Sequence, residues 1–278
     1  MTGDTVLSRF PDRAGSELGL RVLSGVVLAT VSVALATLGG WWFAGCVLLL
    51  ALAVTHEWFD LTGSAGKWAS MASVFAAWLA MAYQGGLILA LYVTVMGAAG
   101  TAMFTLMLRR GEGGLWGAAG TVYATVPLVA LIWISQAEAG WQVILWLFFV
   151  VWATDSGAFA VGKLLKGPKL APSISPGKTW SGAFGGLFGA LVVGVVFDTF
   201  IQADAAQAAA LAVAVSIAGQ VGDLVQSGVK RRFGVKNTGS IIPGHGGVMD
   251  RLDSLVVASP VLAIVVSGIA FLSGGTHG

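Results

Sequence analysis

Apolar runs of about 20 residues, repeated along most of the chain, constrain its fold more than any other feature. That is the length an α-helix needs to cross the hydrocarbon core of a bilayer. Such runs are read near 22–38, 41–58, 68–83, 86–108, 115–135, 141–162, 181–200, 206–226 and 255–273, nine in all. The breaks between them are short and rich in Gly, Trp and charge. Only 10% of the 278 residues are charged, against roughly 25% in a soluble domain. A chain so poor in charge could not cover a water-facing surface, whereas lipid removes that requirement. The expected fold class is an all-α integral membrane protein of about nine transmembrane helices.

The placement of charge sets the orientation. With the N-terminus in the cytoplasm, the segments 1–21, 59–67, 109–114, 163–180 and 227–254 face inward. Together they hold all fifteen Lys and Arg residues, and the opposite connections hold none, carrying Glu138 and Asp204 instead. This is the positive-inside pattern. A wrong helix count would scatter the cations over both sides. The C-terminus is therefore expected on the side opposite the N-terminus. The chain divides into a polar tail (1–21), N-terminal helices (22–140) and a C-terminal catalytic region (141–278) with two long cytoplasmic loops, 163–180 and 227–254. The first apolar run is read as a retained helix, since no convincing cleavage site follows it. With no organellar presequence legible, the expected membrane is the bacterial plasma membrane.

Net charge is only +2, too little to suggest a nucleic-acid partner. The single cysteine, Cys46, can form no internal disulfide and so reports nothing about compartment. The eleven Trp residues read as interfacial belt and packing residues. His56-Glu57 lacks the second His of a zinc-protease motif and reads as an interfacial pair. Gly pairs four apart, Gly182/Gly186 and Gly185/Gly189, suit close contact between helices.

Carboxylates at membrane depth are costly and usually face a cavity or a partner. Asp155 lies late in the sixth run and Asp223 near the cytoplasmic end of the eighth. Asp250 and Asp253 open the ninth, while Asp198 lies near the opposite face and reads as solvated. Gln220, Asp223 and Ser227 stand at i, i+3, i+7, and Lys230 and Arg231 continue that helical face. A helix end bathed in loop water would not explain why Gln220 and Asp223 reach inward together. The following loop carries Lys230, Arg231, Arg232 and Lys236, then Pro243-Gly244-His245-Gly246-Gly247, then Asp250-Arg251-Leu-Asp253. Cations beside a glycine-rich turn and a helix N-terminus suit a phosphate. The basic run alone could equally anchor anionic headgroups. Two carboxylates beside it are the hard oxygen ligands Mg²⁺ takes together with substrate phosphates. His245 reads as an acid/base, a metal ligand or a phosphate contact.

The earlier loop reads Lys169-Leu-Ala-Pro172-Ser173-Ile-Ser175-Pro176-Gly177-Lys178-Thr179-Trp180. Gly-Lys-Thr is not a P-loop here, because the first glycine of that motif would fall at Pro172 and no strand precedes it. Lys178 and its neighbouring hydroxyls remain candidate phosphate contacts.

The run Gly222-Asp223-Leu224, Ser227, Lys230-Arg231, Lys236 and Pro243 through Ser254 resembles the signature of the phosphatidate cytidylyltransferase (CDP-diacylglycerol synthase) family. Asp155-Ser-Gly-Ala-Phe and the Lys169–Trp180 loop are similar to that family's pattern as well. The resemblance covers residues 150–256 in detail. It implies transfer of CMP from CTP to phosphatidic acid, releasing pyrophosphate, with Mg²⁺ held by Asp223 and Asp250. A second cation such as K⁺ is compatible with it. Catalytic duty falls to Asp223, Asp250, Lys230 and Arg231. Substrate contacts fall to Asp155, Ser175, Lys178, Thr179, Ser227, Lys236, His245, Gly246, Gly247, Arg251 and Asp253. One position departs: the family usually has Lys-Asp where this chain has Lys236-Asn237, which keeps an oxygen and loses a charge. Implied partners are CTP, phosphatidic acid and membrane lipid, with Gly-rich faces that allow a homodimer. Two alternatives stand beside this reading. One is a CTP-dependent kinase of a polyprenol or similar lipid alcohol. The other is a transporter, against which the acids gather at one membrane face rather than at the midplane.

Overall fold

The computed structural model describes residues 13–83, 86–107, 113–239 and 246–272. Among the described residues nine α-helices follow one another: α1 (Arg13–Leu38), α2 (Gly40–Thr62), α3 (Lys67–Ala82), α4 (Gly86–Met107), α5 (Gly113–Gln136), α6 (Gly140–Leu165), α7 (Trp180–Val196), α8 (Ala205–Arg232) and α9 (Met249–Leu272). Six of them, α2, α4, α5, α6, α8 and α9, are long and apolar enough to cross a membrane, and α7 and the Ser24–Leu38 part of α1 are shorter apolar helices. The chain is an all-α, multi-pass membrane protein. The outward faces carry large apolar side chains such as Ile88, Leu115, Phe184 and Phe188, a surface suited to lipid rather than water.

Small residues determine how closely the helices approach. In the α6–α7 pair, a Cβ added at Gly182 would stand 2.8 Å from the Ala158 carbonyl oxygen, one at Gly186 2.9 Å from that of Thr154, and one at Gly189 2.7 Å from that of Ala153. Only glycine permits this backbone contact, which is the role expected of the Gly pairs. Buried hydroxyls add cross-links between helices: Thr154 Oγ1 donates to Ser216 Oγ at 2.9 Å, joining α6 to α8. Trp146, Ile144, Leu147 and Val150 are fully buried on α6, which makes that helix the centre of the C-terminal half.

The segment 163–180, read from sequence as a loop, contains a short antiparallel hairpin, β1 (Lys169–Ala171) and β2 (Ser175–Thr179). Lys169 pairs with Thr179 and Ala171 with Ser175. The turn at Pro172-Ser173 closes through the Ile174 amide on the Ala171 carbonyl, 3.2 Å. Pairing of this kind satisfies backbone groups that an open loop at the membrane rim would leave to water. The hairpin leads directly into α7, whose N-cap is Thr179: its Oγ1 accepts the Gly182 amide at 3.1 Å.

Candidate functional site

The polar stripe of the eighth helix lies toward its C-terminal end. There Gln220 Nε2 donates to the Ala183 carbonyl at 3.3 Å, and Ser227 Oγ donates to Asp223 Oδ1 at 3.3 Å. Asp223 Oδ2 then pairs with Lys178 Nζ at 2.5 Å. Two turns further on, Lys230 Nζ pairs with Asp250 Oδ1 at 2.8 Å, with both side chains largely buried. Gln220, Asp223 and Lys230 of that stripe thus form one wall of a site. The hairpin supplies its second wall through Lys178, and the first turn of α9 supplies its third.

These walls close the polar end of a cavity of about 1080 Å³. Asp155, Lys178, Thr179, Asp223, Lys230, Asp250, Arg251 and Asp253 line it, joined by Gln220 and Asn237. The rest of the cavity runs between α1, α2, α5 and α6 along Leu28, Val31, Leu35, Val47, Leu50, Leu128 and Phe148. One continuous space therefore joins a charged end to an apolar channel. Gly25, Leu28 and Val31 of α1 stand along its side.

The cavity is lined by four carboxylates, Asp155, Asp223, Asp250 and Asp253, and by four cationic side chains, Lys163, Lys178, Lys230 and Arg251. Asp155 and Asp253 both lie within electrostatic reach of Asp223. Carboxylates this close to one another favour a bound cation. Hard oxygen donors and room for substrate phosphates fit Mg²⁺, which needs only one or two protein carboxylates. Among the described residues no three His, Cys, Asp or Glu side chains converge as a ready-made metal cluster.

Several sequence-read residues are placed differently from expectation. Arg231, expected among the catalytic residues, is exposed and braces backbone: its Nε donates to the Ile174 carbonyl at 3.2 Å and its guanidinium to the Val235 carbonyl at 3.5 Å. It ties the hairpin turn to the end of α8 and does not line the cavity. Thr179 is spent on capping α7. Ser175, Ser227 and Lys236 also lie off the cavity wall. His245 lies outside the described residues. Gly246 adopts φ +84°, a left-handed conformation that glycine holds without penalty. The Gly247 amide, read as a phosphate donor, is already committed to Asp250 Oδ2 at 3.1 Å. The Val248 and Met249 amides are taken too, by a carboxylate from outside the turn.

The cap comes from Glu57, which its place beside His56 would suggest is half of an interfacial pair. His56 instead pairs with Asp60 at 2.8 Å on the exposed side of α2. Glu57 is buried and accepts the Val248 and Met249 amides, each at 2.8 Å. A signal was present: an acid inside an apolar run with no Lys or Arg three or four residues away is costly unless the fold supplies donors.

Comparison with known proteins gives a consistent result. The profile of the cytidylyltransferase family matches residues 19–269. A protein of Brucella suis named phosphatidate cytidylyltransferase is 38% identical over 255 residues, covering 89% of this chain and 92% of that protein. A Brucella melitensis protein of the same name aligns to the same extent. A Staphylococcus aureus protein, also so named, is 46% identical over 145 residues, 51% of this chain and 56% of its own length.

Proposed function

The chain belongs to the cytidylyltransferase family, and on that premise we propose that it transfers CMP from CTP to phosphatidic acid, yielding CDP-diacylglycerol and pyrophosphate. It is a nucleotidyltransferase of phospholipid synthesis. The single observation that carries the reading to this chain is the two-ended cavity: a charged end sized for phosphates, opening into an apolar channel between helices. A nucleotide and a lipid meet only in such a space.

The chemistry follows from charge. An oxygen of the phosphatidate phosphate attacks the α-phosphorus of CTP and forms the new P–O bond. The bond from the α-phosphorus to the α–β bridging oxygen breaks, and pyrophosphate leaves with that electron pair. The nucleophile is already ionised near neutral pH, so no strong general base is needed. Both substrates are anions, and their approach needs cations. Lys178, Lys230 and Arg251 supply them from three different elements. Lys178 and Lys230 are held on Asp223 and Asp250 until phosphate competes for them. Asp223 and Asp250 are the residues that would hold Mg²⁺, and when bound it would offset charge developing on the phosphates. The remaining contribution is positioning, as in phosphoryl transfer generally. Acyl chains would lie along Leu28, Val31 and Leu128, reached sideways from the bilayer.

The proposed setting is the bacterial inner membrane with the charged end toward the cytoplasm, where CTP is made. A second copy of the chain is a proposed partner through the apolar outward faces. The test is transfer of label from α-labelled CTP into the lipid fraction by the protein purified in mild detergent, with phosphatidate and Mg²⁺. Label in lipid supports the reading. CDP released into water would point instead to the lipid kinase.

A further inference from the structure

Glu57 lies on α2, in the half of the chain that carries none of the signature residues, yet its carboxylate is buried against the charged end of the cavity. Oε1 accepts the Val248 amide at 2.8 Å, and Oε2 accepts the Met249 amide at 2.8 Å and the Thr238 hydroxyl at 3.0 Å. The same backbone is gripped from the other side by Asp250, whose Oδ2 accepts the amides of Thr238 at 3.0 Å and Gly247 at 3.1 Å. Thr238 is thus shared, its hydroxyl on one carboxylate and its amide on the other. Space is shaped to match. A Cβ at Gly239 would stand 2.9 Å from Glu57 Oε1, and one at Gly247 would collide with both Glu57 Oε2 and Thr238 Oγ1.

We propose that Glu57 is a positioning residue for the transferase reaction: by capping α9 and taking the Thr238 hydroxyl, it sets the direction of the Asp250 carboxylate. The proposal rests on the transferase reading. Two features favour positioning over plain packing. The charge fills the N-terminus of α9, where free amides would otherwise draw an anion, so substrate phosphate is left to the lysine and arginine side chains. And Asp250 is oriented by the two amides, Thr238 and Gly247, that flank the Glu57 contacts.

The test compares Glu57→Gln and Glu57→Asp with the wild-type protein, all full length in detergent, supplied with phosphatidate, Mg²⁺ and α-labelled CTP. Gln keeps the shape but presents an NH₂ group toward a backbone N–H. Its kcat is expected to fall about 10²-fold, the scale of an ångström-level misplacement, with KM for phosphatidate unchanged. Asp keeps the charge one methylene short and should recover part of the loss. Hydrogen–deuterium exchange supplies a readout independent of turnover: amides of Gly247–Asp250 should exchange faster in Glu57→Gln, while those of the α6–α7 pair stay as in wild type. Uniformly faster exchange with a general loss of stability would overturn the proposal in favour of packing alone. Equal kcat and equal exchange in Glu57→Gln would also overturn it. If the wild-type protein transfers no CMP, the transferase reading falls and the proposal with it. If wild type turns over and the variant matches it, only the proposal falls.

Discussion

Lys230 and Asp250 stand 20 residues apart in the chain and 2.8 Å apart in space, on two different helices that both end at the charged side of the bundle. Their side chains are 13% and 6% exposed, so each is the other's main compensation. Removing one partner of so buried a pair leaves an uncompensated charge, at a cost of about 3–5 kcal/mol. Lys230→Ala should therefore lower the unfolding temperature in detergent as well as turnover. Lys230→Ala with unchanged thermal stability would mean that water already solvates Asp250.

Asp250→Asn preserves shape and removes the charge. Transfer of CMP should fall by at least about 10³-fold, the scale seen when a charge-stabilising group is lost from an active site. Membrane insertion and elution in size-exclusion chromatography should match wild type. Turnover near the wild-type rate would remove Asp250 from the reaction.

Lys178 sits on the hairpin, half-exposed, and is shared between Asp223 and any phosphate in the cavity. Lys178→Ala should raise KM for CTP by about 10–100-fold, what loss of one charged hydrogen bond is worth. Arg231→Ala, by contrast, removes a brace on Ile174 and Val235 and should leave KM for CTP close to wild type. Titrating CTP in both variants separates the two roles. An equal rise in both would return Arg231 to the triphosphate.

Two glycines near the charged end should respond in opposite ways. A Cβ at Gly177 meets nothing within 4 Å, whereas one at Gly247 collides with Glu57 and Thr238. Gly177→Ala should retain activity, and Gly247→Ala should lose at least about tenfold, since overpacking costs on the order of 1–3 kcal/mol. Comparable rates for the two variants would mean that the capped turn gives way freely.

Chelation tests the proposed ion. EDTA should stop transfer reversibly, and Mg²⁺ should restore it, with Asp223→Asn shifting the Mg²⁺ requirement upward. Full activity in excess EDTA would leave the lysines and Arg251 to neutralise the phosphates unaided.

The sequence by itself determined the membrane class, because apolar runs near 20 residues and fifteen cations confined to alternate connections admit few other folds. It also determined most of the polar stripe on α8, because Gln220, Asp223 and Ser227 share a face through helical period alone. Contacts between residues distant in the chain were decided only by the tertiary structure. The hairpin of 169–179 depends on backbone pairing at the membrane rim, for which the Pro- and Ser-rich loop carries little propensity. Arg231 is drawn away from the cavity by carbonyls of Ile174 and Val235, one of them 57 residues distant. Glu57 finds its donors 181 to 192 residues downstream. Local periodicity cannot register such a separation; only packing α2 and α5 against α9 brings a buried carboxylate to a helix terminus that needs one.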